Sequence, residues 1–160
     1  NGEVAWGEMW ENFCALALEG GPPHRGELLK AQPVPDTHSP TYQHAVQEIV
    51  RGIQEASGLP ATEVRPGWIA VTCPSGAMAG WLAEAMVAEK VEAHAEATRL
   101  LVPVGDYYTV KGEIKNVITA VAKTTHYWGE HLPAEVKQTL AFQARLAAIW
   151  RWMRRLGQAA

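Results

Sequence analysis

Apolar residues recur at spacings of three and four along most of this chain, and each place where that spacing fails marks a change of element. Trp6, Met9, Trp10, Phe13, Cys14 and Ala17 form one such stripe, which predicts a helix from about Glu3 to Leu18. Gly20-Gly21-Pro22-Pro23 ends it, because glycine takes the left-handed cap and proline cannot continue a helix. A short segment, HRGELLKA, follows, and Gln32–Ser39, with Pro33, Pro35 and Asp36, reads as a surface connection. Ser39-Pro40 then opens a second helix with a capping hydroxyl and a proline in its first turn. Tyr42, Ala45, Val46, Ile49, Val50 and Ile53 are its buried stripe, Gly58 is its cap, and Pro60 to Gly67 reads as a loop.

At Trp68 the period changes. WIAVTC, bounded by Gly67 and Pro74, is a short apolar run of the kind that forms a buried strand. Ser75 caps the next helix, whose stripe is Met78, Trp81, Leu82, Ala85 and Met86. Val91 to Val104 reads as a hairpin. The stretch EIKNVITAVAKTTHYW, residues 113–128, returns to helical spacing. Ile114, Val117, Ile118, Val121, Thr125 and Trp128 line one side, while Lys115, Asn116, Thr119, Lys123, His126 and Tyr127 take the other. Leu132-Pro133 separates a last helix reaching about Leu156, with Val136, Leu140, Phe142, Leu146, Ile149, Trp150 and Met153 available for burial.

The order α-α-β-α-β-β-α-α predicts an α+β fold. A small three-stranded sheet, with a β-α-β-β-α core like an incomplete ferredoxin-like unit, packs with several amphipathic helices. Residues 1–160 read as a single compact domain, long enough to bury a sizeable core.

Composition narrows the function classes. The apolar fraction of 48% is that of a folded globular chain. A formal charge of -3 provides no general attraction to phosphate backbones, which disfavours a dedicated nucleic-acid binder. No run of ~18 apolar residues predicts a spanning helix, and no charged-then-apolar leader is visible. Two distant cysteines, Cys14 and Cys73, form no disulfide framework, and together these features point to a cytoplasmic protein.

Candidate chemistry is sparse. Cys73 in CPSG sits where a strand hands over to a helix, a position that favours a thiolate. With His126 or His24 as base it reads as a candidate nucleophile, although a buried packing role explains an apolar cysteine equally well. GGPPHRG presents His24 and Arg25 on a stiff loop suited to a carboxylate or phosphate, but it matches no nucleotide fingerprint, so no cofactor is implied. Glu92, His94 and Glu96 alternate on one strand face. Spread over ~13 Å they are too far apart for one ion, and His126 and His131 lack zinc spacing, so no metal site is expected. Lys115, Thr119, Lys123 and His126 form the most suggestive set: cations, a hydroxyl and an imidazole on one helical side, with few acidic neighbours.

Three readings follow. The first is a non-catalytic or regulatory domain binding a small anionic metabolite between the strand end at Cys73 and the polar side of helix 113–128, with His24, Arg25, Lys115, Thr119, Lys123 and His126 as contacts. The second is an enzyme using Cys73 with a nearby histidine. The third is a homo-oligomeric interaction module, joined through Trp152 or a sheet edge.

Overall fold

Ser39 accepts a hydrogen bond from Tyr42 N at 3.1 Å through its hydroxyl and so starts helix α1, Pro40–Ser57. Gly58, at φ 72, ends it by donating to Gln54 O. A computed structural model describes residues 2–9 and 26–158 of the chain. Within them the order continues as β1 Ala61–Arg65, β2 Trp68–Thr72, α2 Gly76–Ala88, β3 His94–Glu96, β4 Arg99–Pro103, α3 Lys115–His126 and α4 Ala134–Gln158. Of the predicted first helix, Trp6–Met9 is helical, while Trp10, Phe13, Cys14 and Ala17 lie outside the described residues.

The fold is α+β, but the sheet has four strands rather than three. The added strand is β1, which occupies the stretch read from sequence as a loop. Its burial pattern explains the miss. Only Ala61 is buried and the next four residues are exposed, so no apolar alternation announces it. The sheet order is β1-β2-β4-β3 with every neighbour antiparallel. The chain crosses from β2 through α2 to the edge strand β3, then turns back to place β4 between them.

Gly67 makes the β1–β2 turn. At φ 84 it takes a backbone form that side-chain-bearing residues rarely adopt, and a Cβ there would meet Gln32 O at 2.8 Å. Tyr42 ties this turn to α1, donating its hydroxyl to Glu63 at 2.6 Å and accepting from Gly67 N at 2.9 Å.

Strand pleating divides the apolar residues between two layers. Ile69, Val71, Leu100 and Val102 enter the main core with Ile49, Ile53, Leu82, Met86, Ile118 and Val121 from the helices. On the other face Ala70 and Leu101 are buried beneath a polar and aromatic cover. There Trp68 lies 5.1 Å from the His94 ring, Arg65 stands over Trp68, and Glu96 pairs with both Arg65 and Arg99.

The N-terminal turn is anchored to α1. Trp6 is buried and donates to Glu48, while Arg51 bonds both Glu48 and Val4 O.

Wider turns bracket α3. Val110–Ile114 is wound with π-type spacing around a kink at Gly112, and Tyr127–His131 is again π-wound. Helix α4 departs most from expectation. Of the residues available for burial, Phe142, Leu146, Ile149, Trp150 and Met153 are exposed, as is Trp152. Among the described residues no helix is long and apolar enough to cross a membrane.

Candidate functional site

Helix α3 has less free polar surface than its sequence suggests. Thr119, expected on the open side, is buried, and its hydroxyl donates to Lys115 O at 2.8 Å. Its one proton is therefore used within its own helix. Lys123 reaches across to Glu89 at the end of α2, with Nζ 2.7 Å from Oε1. The acidic partner that i,i+4 spacing does not supply comes from another helix. Lys115 is exposed at the start of α3, and His126 is half-buried at its end.

Cys73 is 4% exposed in the core, with its thiol directed at Val71 O at 3.8 Å. Burial pushes its pKa up to about 11, outweighing the hydrogen bond with the Leu100 backbone, so at neutral pH the sulfur carries its proton. The helix start beside it is capped by Ser75, whose hydroxyl accepts from Met78 N. The environment is that of a packed thiol rather than an activated nucleophile.

The Glu92–His94–Glu96 series is divided among separate tasks. Glu92 accepts from Ala31 N at 2.9 Å and lies 3.3 Å from His94, whereas Glu96 serves Arg65 and Arg99. Among the described residues no three His, Cys, Asp or Glu side chains gather as metal ligands.

Two concave sites among the described residues bear on these readings. The smaller, of about 230 Å³, lies between the end of α1 and the end of α3 and is lined by Ser57, Thr125, His126 and Glu130. Thr125 Oγ1 is fully enclosed there and has no hydrogen-bond partner. Thr119 and Thr124 both donate back to helix carbonyls, so Thr125 differs from its neighbours. Unpaired buried hydroxyls are uncommon and costly.

The larger is a cleft of about 870 Å³ between α2 and α4. Ser75, Gly76 and Ala77, at the start of α2, form one wall, and the β3–β4 turn at Ala97 and Thr98 forms the floor. Gly76 lets this wall approach the floor closely, since a Cβ would stand 3.2 Å from Ala97 O. The opposite wall is α4, where Ala144, Ala148, Arg151 and Arg155 follow helical spacing and Arg145 stands at the margin. The small residues on both helices leave open space between the walls. The three arginines take part in no ion pair among the described residues. The positive end of α2 adds to the same field.

Sequence spacing pointed instead to a site between the strand end at Cys73 and the polar side of helix 113–128, whereas this cleft lies between α2 and α4. Arg151 and Arg155 stand in the last turns of α4, where cations commonly complement the helix end, and Arg145 lies six residues before Arg151 in an alanine-rich stretch. The legible signal was the alanine stripe in phase with them. Neither Cys73 nor Lys115 lines either cavity. His24 and Arg25 lie outside the described residues.

No family model, curated protein or solved structure matches this chain, so the reading of function rests on geometry and chemistry.

Proposed function

We propose that this protein is a non-catalytic binding domain for a small, multiply charged anion, held in the cleft between α2 and α4. The observation that carries this reading is the set of Arg145, Arg151 and Arg155 lining a cleft opposite a helix start, with no acidic partner among the described residues. Guanidinium forks bind carboxylate and phosphate oxygens in pairs of hydrogen bonds. The alanine and glycine walls fit an apolar or planar body attached to the charged group. Lys115, Lys123 and Thr119 are left outside the site in this reading.

Isothermal titration with pyrophosphate, a nucleoside triphosphate and citrate tests it. At least one is expected to bind, and each arginine-to-alanine change is expected to weaken it about tenfold, a loss near 1.4 kcal/mol. Absence of binding by all three probes, or binding indifferent to the arginines, contradicts the proposal.

The pocket at His126 supports a second reading, carried by the unpaired Thr125 hydroxyl: a small polar ligand that accepts or donates one hydrogen bond there. At fold level we read β2-α2-β3-β4 as a ferredoxin-like arrangement in which β1 takes the place of a last strand. Its support is the position of β4 between β2 and β3. Such likeness carries no activity. A reducing, cytoplasmic location fits the unpaired, buried Cys73.

A further inference from the structure

Helix α4 touches the rest of the chain through its small side and turns its large side outward. Ala144, Ala148, Arg151 and Arg155 look into the cleft. Phe142, Leu146, Ile149 and Met153 are exposed, at successive spacings of four, three and four. That is the alternation of a narrow helix–helix seam, which repeats every 3.5 residues. Trp150 and Trp152, 61% and 62% exposed, flank the seam on its two sides.

We infer that this face is where a second copy of the chain docks, the two α4 helices pairing antiparallel. Three observations commit the surface to that occupant. The seam spacing fits a helix, and α4 is itself a helix carrying the matching seam. These six side chains expose roughly 600 Å², given the ~150–250 Å² that an aromatic side chain presents, which approaches the ~800 Å² per partner of a stable interface. A patch of roughly 600 Å² stands at the top of the ~300–600 Å² range of the largest patches on monomers, which are often functional.

Charge sets the direction. Arg151, Arg154 and Arg155 crowd the C-terminal half of α4, whereas Glu135 and Lys137 open it. Parallel pairing would bring the two arginine ends together, and antiparallel pairing keeps them apart. A two-fold axis between Leu146 and Ile149 then pairs Leu146 with Ile149 of the partner and Phe142 with Met153. It also places Arg145 beside the partner's Trp152, a favourable cation–ring contact. The Arg151 and Arg155 wall of the cleft stays open because it lies on the opposite side of α4, and Arg145 at the cleft margin is the one residue the two surfaces share.

Sedimentation equilibrium of the intact chain from 1 to 200 µM (a range on the order of typical weak-dimer constants) tests this. A dimer is expected, and it is expected to dissociate at least tenfold more readily in Ile149→Glu. Ile149 is exposed, so that variant should keep its far-ultraviolet circular dichroism; Trp152→Ser provides a second, milder change in the same direction. A nitroxide at Gln138→Cys, in a Cys14→Ser background, should report a separation near ~28 Å across an antiparallel pair at ~1.5 Å per residue. A strict monomer throughout the range, or a dimer indifferent to both substitutions, overturns the proposal. A nitroxide distance under ~15 Å overturns the antiparallel arrangement. A monomer that instead binds phosphatidylserine vesicles through Trp152 assigns the face to a membrane surface and equally overturns it.

Discussion

Lys123 and Glu89 join the end of α3 to the end of α2 through a 2.7 Å ion pair, with side chains 32% and 15% exposed. A partly exposed pair of this kind is worth on the order of 1 kcal/mol or less. Lys123→Ala is therefore expected to lower the urea midpoint slightly and leave anion binding unchanged. Loss of anion binding on this substitution would return Lys123 to the site.

Cys73 and Tyr42, with the buried Tyr108 phenol acting in the same direction, lower stability at alkaline pH. Burial raises the thiol to about 11, and burial, with Glu63 next, raises the Tyr42 phenol to about 12. Both groups keep protons in the folded chain that the unfolded chain releases, so stability falls with rising pH above the ordinary pKa values of 9.0 and 10.0. Denaturant unfolding should show no thiol or phenol contribution at neutral pH and progressive loss above about pH 9. Iodoacetamide should label Cys73 only on unfolding; rapid labelling of the folded protein at pH 7 would contradict the buried, protonated thiol.

Thr125 and Thr124 are neighbours in α3 with opposite hydrogen bonding. Thr124 donates to Ala120 O at 2.8 Å, while Thr125 Oγ1 is enclosed without a partner. Replacing an unpaired buried hydroxyl by a methyl removes a penalty of about 1–3 kcal/mol. Thr125→Val is therefore expected to leave stability unchanged or raise it, and Thr124→Val to lower it modestly. A clear loss of stability in Thr125→Val would mean that its hydroxyl has a structural partner.

The parts of the fold legible in the sequence are those where local chemistry and burial agree. Ser39, Gly58 and Ser75 cap as their residue types require, and the stripes of α1 and α3 enter the core. Strand β1 was illegible because four of its five residues face outward, so its pairing comes from β2 and not from its own pattern. Helix spacing located the polar side of α3 but could not show that Glu89 crosses to Lys123 or that Thr119 is covered. Both depend on contacts distant in sequence. In α4 the apolar residues were visible, and spacing alone could not say whether the chain itself buries them. The arginine cleft was illegible for the same reason, since its walls come from residues some seventy positions apart.

The central claim is that the cations of α4, and not those of α3, hold the anion. Titrating the best-binding probe into wild type, Lys115→Ala and the Arg151→Ala/Arg155→Ala double variant tests it most directly. Equal affinity for wild type and Lys115→Ala is expected, with a loss of about a hundredfold in the double variant. Retained affinity in the double variant, together with loss in Lys115→Ala, would contradict it.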